Sequence, residues 1–337
     1  MRIGIVAPSS PCGQVELELG VERLAQERFD VVVHPQCARR HFTFAGSDDE
    51  RAAALCELAS DKDIDVVWCA RGGYGAARLL PILEKHTAEL GVPPRKLLVG
   101  YSDITVLHEF ARHRWHWPTL HAPMPAADLS AIKPDEWRAT VELVKGHRPA
   151  NPYEQPGLSF ITDRPAKSIT GELVGGNLSL WQSLMGTPWQ PDARGKILFF
   201  EDLSEPFYRI DRMFTHVVQA GGLDGVAAIV LGDFTDCKDE SHQVLKPPST
   251  DEQRQQIRRD RALAPRVPLR RTYDLREAID AIFGEVGRHL GIPVASGLPV
   301  GHGPSFAPLP LGAAYELSSD GGLRLLKWDW LPRDTGS

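Results

Sequence analysis

Three residues of this chain are suited by type and setting to nucleophilic chemistry: Ser102, His302 and Glu201. In Lys96-Leu97-Leu98-Val99-Gly100-Tyr101-Ser102-Asp103-Ile104-Thr105-Val106-Leu107-His108, an apolar strand pattern meets a glycine, then a serine two residues on. Helical spacing follows through Ile104, Leu107 and Phe110. A serine on a tight strand-to-helix turn projects its hydroxyl above a sheet, and the N–H groups after it point at an approaching carbonyl oxygen. The match to a G-x-S-x-G elbow is partial, because Ile104 stands where the second glycine would be. The same spacing fits a plain helix cap by Ser102 or Asp103, and caps are much commoner than nucleophiles.

A serine hydroxyl needs a base. Of the twelve histidines, His302 stands apart in Ser296-Gly297-Leu298-Pro299-Val300-Gly301-His302-Gly303-Pro304, where flanking glycines and prolines exclude a helix and predict an exposed turn. A turn histidine packed on Pro304 is the plainer reading. His108, just after Ser102, and His121, after a short strand at Thr119-Leu120, are competitors. A base needs an orienting carboxylate. Glu201 supplies one at the end of the apolar run Ile197-Leu198-Phe199-Phe200; Asp202 follows, but strand alternation sends the two to opposite sides, so one at most serves. Both equally fit a solvated strand end.

The loop Ala70-Arg71-Gly72-Gly73-Tyr74-Gly75 follows the strand pattern Val66-Val67-Trp68-Cys69, and its glycines permit close backbone approach to a ligand. Neither G-x-G-x-x-G nor a Gly-Lys-Ser/Thr ending is present, which weakens a phosphate-loop reading. Cys69 could act as a nucleophile at this strand end, but apolar neighbours raise a thiol pKa and favour a packing role.

These groups require a scaffold that gathers loops at one edge. Apolar runs Arg2 to Ala7, Phe29 to His34, Asp65 to Cys69 and Lys96 to Val99 alternate with helical patterns at Leu17 to Gln26, Asp48 to Ser60 and Gly75 to Leu83. That order predicts a mostly parallel sheet covered on both faces, with its working groups at the carboxyl ends of the strands. A Pro-rich stretch at 151–165 reads as a linker between an N-terminal α/β domain (1–150) and a second domain (166–337). In the second domain the strands are expected at Ile169 to Val174, Lys196 to Phe200 and Val226 to Leu231. Helices are expected at Ser179 to Met185, Tyr208 to Gln219 and Leu275 to His289, and a terminal hairpin spans Ala314 to Trp330 around Asp320-Gly321-Gly322. The polar stretch Cys237 to Arg261 carries no motif.

At 337 residues and 42% hydrophobic content the chain exceeds the size at which one core keeps growing, so two domains are expected. A net charge of -6 gives no reason to expect nucleic acid or an acidic membrane as partner, and favours a small substrate. The N-terminus reads as a strand rather than a signal, and no apolar run approaches the roughly 20 residues of a membrane span. Five scattered cysteines without a C-x-x-C pair argue against a disulfide framework or a structural zinc and fit a reducing cytoplasm.

Taken together, Val6-Ala7-Pro8-Ser9-Ser10, Ala70 to Gly75, Gly100-Tyr101-Ser102-Asp103-Ile104-Thr105, Gly175-Gly176-Asn177-Leu178-Ser179, Gly195 to Asp202, Tyr208 to Met213 and Gly301-His302-Gly303 resemble the LD-carboxypeptidases (murein tetrapeptide carboxypeptidases). That family of serine peptidases also includes the microcin-immunity hydrolases. The resemblance spans nearly the whole chain. It implies Ser102 as nucleophile, His302 as general base then acid, and Glu201 as the residue orienting it. It further implies an oxyanion hole from the Asp103 backbone N–H and one N–H of Gly72 or Gly73. The fold implied is a flavodoxin-like or amidotransferase-like N-terminal domain, a β-rich C-terminal domain, and a homodimer. The activity implied is hydrolysis of the L,D-amide bond to terminal D-alanine in a muropeptide, in peptidoglycan recycling, with no metal or cofactor. Arg71 is a candidate seat for the substrate carboxylate, with a structural salt bridge as the alternative; Asn177 is a second candidate substrate contact. Trp181 and Trp189 are more aromatic than the family pattern and would stack a nucleobase if the substrate were a peptidyl or aminoacyl nucleotide. A non-catalytic binding protein on the same fold, or a Cys69-dependent enzyme, are the remaining alternatives.

Overall fold

The computed structural model describes residues 1–127, 132–148, 157–238 and 274–330. In the first half, β1 (Arg2–Val6), β2 (Asp30–Val33), β3 (Val66–Cys69), β4 (Leu97–Gly100) and β5 (Thr119–His121) alternate with α1 (Gln14–Gln26), α2 (Asp48–Ser60), α3 (Leu80–Leu90) and α4 (Thr105–Phe110). The start of α2 is fixed by a capping box, in which Ser47 and Glu50 satisfy each other's backbone N–H groups. The pattern read as one helix from Gly75 resolves into a 3-10 turn, Ala76–Leu79, and then α3, whose first turn holds Pro81, where a missing N–H is tolerated.

After α5 (Pro134–Val144) come β6 (Ser159–Phe160), β7 (Ile169–Asn177), α6 (Leu178–Ser183), β8 (Ile197–Leu203), α7 (Phe207–Gln219) and β9 (Ala228–Thr235). Then follow α8 (Leu275–Ile279), α9 (Glu285–Leu290), β10 (Val294–Ser296), β11 (Leu309–Leu311), β12 (Ala314–Leu317) and β13 (Leu323–Lys327). The helix expected over Leu275 to His289 is interrupted by a π-helical turn, Asp280–Gly284, and the expected terminal hairpin is formed by β12 and β13.

The first sheet has the order β11-β5-β4-β3-β1-β2, with β1 to β5 parallel and β11 antiparallel on the β5 edge. Without β11 this is the flavodoxin-like order, whose switch point lies between β1 and β3. Both faces of this sheet are covered, as its unbroken apolar strands require: Ile3, Ile5, Trp68, Val99 and Leu120 pack into one core and Val6, Val67, Cys69 and Leu98 into the other. The second sheet runs β13-β12-β7-β8-β9-β10-β6, with β7, β8, β9 and β10 parallel. Of the stretch expected as a linker, residues 151–156 lie outside the described residues, while β6 within it pairs antiparallel with β10. Most of the unassigned polar stretch, from residue 239 on, also lies outside them. No helix among the described residues is long and apolar enough to cross a membrane.

Candidate active site

β4 ends at Gly100, and the chain turns through Tyr101 into a 3-10 turn, Ser102–Ile104, that leads into α4. Ser102 itself has φ of 62°, in the left-handed region that a residue with a Cβ adopts only when its surroundings impose it. No side chain caps either this turn or α4, so neither Ser102 nor Asp103 serves as the cap that spacing allowed. The Ser102 hydroxyl is left to face the neighbouring loops. A Cβ built on Gly72 would lie 3.2 Å from Ser102 Oγ and 3.0 Å from Ser102 Cβ, so a larger residue there would press on the serine, and glycine lets the β3 loop come this close without doing so. Gly73 instead faces Ser10, whose backbone N–H donates to Gly72 O at 3.3 Å.

The carboxylate and the histidine come from the second sheet. β8 and β9 fall out of register between Phe200 and Asp202, so that Gly232 and Asp233 of β9 stand opposite Glu201 alone. Such an irregularity re-aims a side chain at a strand end. Glu201 is wholly buried, and its Oε2 lies 2.7 Å from His302 Nδ1. Asp202, next in sequence, points away. It accepts from Asn177 Nδ2, from the N–H and hydroxyl of Ser179 and from the Leu203 N–H, at 2.7 to 3.0 Å, and so fixes the start of α6. Strand alternation thus gives the two acids separate tasks.

The His302 turn rests directly on β8 and β9. Asp233 N–H donates to Val300 O at 2.9 Å, and Gly232 has no room for a Cβ because Val300 O would lie 2.2 Å from it. Gly301, at φ 134°, lies over Glu201. The turn is as expected, but its exposure is not: the imidazole is only 12% accessible, because it packs on the Tyr101 ring at 4.9 Å between centroids. Burial disfavours the charged imidazole, yet the Glu201 carboxylate beside it, aided by Asp202, outweighs that and raises the His302 pKa above 6.5. Because a carboxylate can only accept, the Nδ1 side carries the proton and Nε2 is left as a proton acceptor.

One contact binds the two halves of the site. Thr105, in the first turn of α4, accepts from Asn177 N–H at 3.0 Å, and a Cβ on Gly176 would meet Thr105 Oγ1 at 2.5 Å. Asn177 is paired in register with Glu201. The chain of contacts therefore closes on itself: Ser102 turn, Thr105, Asn177, Glu201, His302, Tyr101.

Several residues fall elsewhere. The Asn177 side chain, a candidate substrate contact by resemblance, is occupied as the N-cap of α6 and in the bond to Asp202. Arg71 is exposed and donates to Pro11 O at 3.2 Å. His108 is buried with Nε2 2.9 Å from Gly100 O, and burial pushes its pKa down to about 4. His121 is buried against Phe306, Phe199 and Tyr101, and its pKa lies well below 6.5. Neither competes with His302 for the carboxylate. Cys69 is wholly buried and its thiol pKa is driven upward by burial, the packing role its neighbours predicted. Trp181 is wholly buried against Phe200, and the Trp189 indole donates to Glu84 at 3.1 Å. No group of three or more metal-ligating side chains occurs among the described residues.

The contributions of Tyr101, Gly232 and Asp233 were not apparent in the sequence. The signals are a glycine directly after the apolar run Val226 to Leu231 and an aromatic beside the serine, neither distinctive alone.

The LD-carboxypeptidase N-terminal domain matches residues 3–122, and the LD-carboxypeptidase C-terminal domain matches 170–275 and 264–317. A Streptomyces coelicolor protein named as a carboxypeptidase is 34% identical over 329 residues, 95% of this chain and 91% of the relative. The microcin C7 self-immunity protein of Escherichia coli is 26% identical over 265 residues, 68% of this chain and 74% of the relative. A crystal structure of muramoyltetrapeptide carboxypeptidase from Oxalobacter formigenes superposes with a TM-score of 0.69 at 28% identity, covering 96% of this chain and 97% of that one. The chain belongs to the LD-carboxypeptidase family and is a serine-type carboxypeptidase, a hydrolase.

Proposed function

We propose that the protein removes the terminal D-alanine from murein tetrapeptides, in the cytoplasm and as a homodimer, during peptidoglycan recycling. In this reading residues 1–150 carry the nucleophile, 166–337 carry Glu201 and His302, and 151–165 link them. The observation that supports it most is the buried Glu201–His302 pair, 2.7 Å apart, with His302 packed on Tyr101, the residue next to Ser102.

Ser102 Oγ attacks the carbonyl carbon of the L,D-amide while its proton passes to His302 Nε2. Charge develops on the carbonyl oxygen, and the backbone N–H groups of Asp103 and Gly72 receive it. Gly72 is preferred to Gly73 because it is the glycine set against Ser102. The tetrahedral intermediate collapses as the C–N bond breaks and His302 returns the proton to the departing amine of D-alanine. Water then attacks the acyl-serine, again giving its proton to Nε2, and Ser102 is released with its own proton restored. Glu201 holds the tautomer throughout and stabilises the imidazolium. Arg71 is the candidate partner for the substrate carboxylate.

Incubation with muropeptide tetrapeptide, and detection of tripeptide and free D-alanine, tests the proposal. Turnover of a peptidyl nucleotide without D-alanine release would sink it. The burial of Trp181 weighs against that second substrate, because a stacking platform needs an open aromatic face.

A further inference from the structure

We propose that the buried side chain of Asp103 is a positioning residue, which sets the backbone donors around Ser102 by tying the nucleophile turn to the loops that face it. The inference rests on Ser102 being the nucleophile. Asp103 is 1% exposed, and its Oδ2 accepts from Ser9 Oγ at 2.6 Å and from Ala76 N–H at 2.8 Å. The Gly75 N–H also reaches this carboxylate. Ser9 lies in the loop after β1, Gly75 and Ala76 in the loop after β3, and Asp103 itself in the turn after β4. One carboxylate therefore gathers the loops of three strands adjacent in the sheet, β1, β3 and β4.

The ties around it reinforce the same geometry. Ser10 N–H donates to Gly72 O, and Tyr74 N–H donates to Ser10 Oγ at 3.2 Å, so the Ser9-Ser10 segment grips both sides of the glycine that stands against Ser102. Beneath them the wholly buried Arg51 guanidinium donates to Pro8 O and to Gly75 O and ties to Asp48; burial raises the Asp103 pKa above its ordinary value, and the bonds from Ser9 and Ala76 together with the Arg51 charge offset part of that. An uncompensated carboxylate here would be expensive, and an apolar residue would fill the space at less cost. What the carboxylate adds is fixed direction. It accepts from two loops at once and holds its own backbone N–H, the oxyanion donor, at a set angle to Gly72. Misplacement of such donors by an ångström is enough to cost about 10²-fold in rate.

The experiment compares Asp103→Asn, Ser9→Ala, their double variant and Ser102→Ala in release of D-alanine from tetrapeptide, with kcat expressed per folded molecule. Asparagine keeps the size and can set its one oxygen in the place of Oδ2, where both Ser9 and Ala76 donate, so it removes the charge that strengthens the two bonds rather than the bonds themselves. Asp103→Asn is expected to lower kcat about 10- to 100-fold with KM held within about twofold. Ser9→Ala, which removes one donor and leaves the charge in place, is expected to lower kcat about threefold to tenfold in the same way. The double variant is expected to lose less than the product of the two single losses, since the Asp103 charge acts in part through the bond from Ser9. The NMR titration midpoint of His302 stays in place in both single variants, because the Glu201 pair is untouched. Unchanged kcat in folded Asp103→Asn, an effect confined to KM, or losses that multiply in the double variant would each overturn the inference. If Asp103→Asn does not fold, kcat of Ser9→Ala decides alone. Retained turnover in Ser102→Ala would instead overturn the nucleophile reading, whatever Asp103 does.

Discussion

The two sheets contribute to the site in opposite ways. The edge of the first sheet offers backbone: a serine held at positive φ, a glycine that admits the neighbouring loop, and N–H groups aimed by cross-ties between loops. The edge of the second offers charge: a buried carboxylate, an imidazole whose pKa is lifted by it, and a glycine turn pressed onto two strands. Stabilising an oxyanion needs donors that do not reorganise, whereas moving a proton needs a group poised to change charge. In the proposed mechanism these tasks fall to the edges of two different sheets.

If that division is right, damage on the two edges should read differently. The largest effect belongs to Ser102→Ala, which is expected to remove turnover by at least about 10⁴-fold while leaving the melting temperature unchanged. His302→Ala should do the same, and the double variant should be no worse; multiplied losses would mean that the edges do not share one reaction. Glu201→Gln comes next, with kcat down by about 10³- to 10⁴-fold, since an amide can favour the wrong tautomer. It should also alter the pH profile. His302 accepts a proton only when neutral, so in the unaltered protein kcat/KM should climb through a limb lying above pH 6.5. Loss of the neighbouring negative charge should move that limb to lower pH.

On the backbone edge, Gly72→Ala should cost about 10²-fold in kcat and leave the position of the limb alone, because it crowds Ser102 without touching His302. A shifted limb there would break the comparison. The smallest effect on catalysis is expected for Asp202→Asn. This change should loosen the start of α6 and lower stability by about 1–2 kcal/mol, seen as a small fall in melting temperature, with kcat within a few fold.

The two edges also differed in how far the sequence disclosed them. The nucleophile turn and the β3 glycine loop are local: strand, glycine, serine and helix follow within a dozen residues, and the alternating pattern places them on a parallel sheet. His302 was legible for the same reason, since its flanking glycines mark a turn. The choice between Glu201 and Asp202 had only strand alternation behind it, because the register shift between β8 and β9 arises from pairing and leaves no mark in either strand's own residues. The burial of His302 likewise depends on Tyr101, about two hundred positions earlier in the chain. β11 was missed altogether, being three residues long with a proline at its centre, tolerable because it lies at a sheet edge.

That short strand bears on the order of events during synthesis. β11 covers the β5 edge, yet Leu309 pairs with His121 across most of the chain's length. Until residues 309–311 leave the ribosome, the nascent N-terminal half presents β5 as an open edge, able to pair with another copy. Both sheets therefore wait for strands from the last part of the polypeptide, β11 for the first and β12 and β13 for the second, and the two halves are better regarded as one folding unit than as parts that could be produced separately and joined.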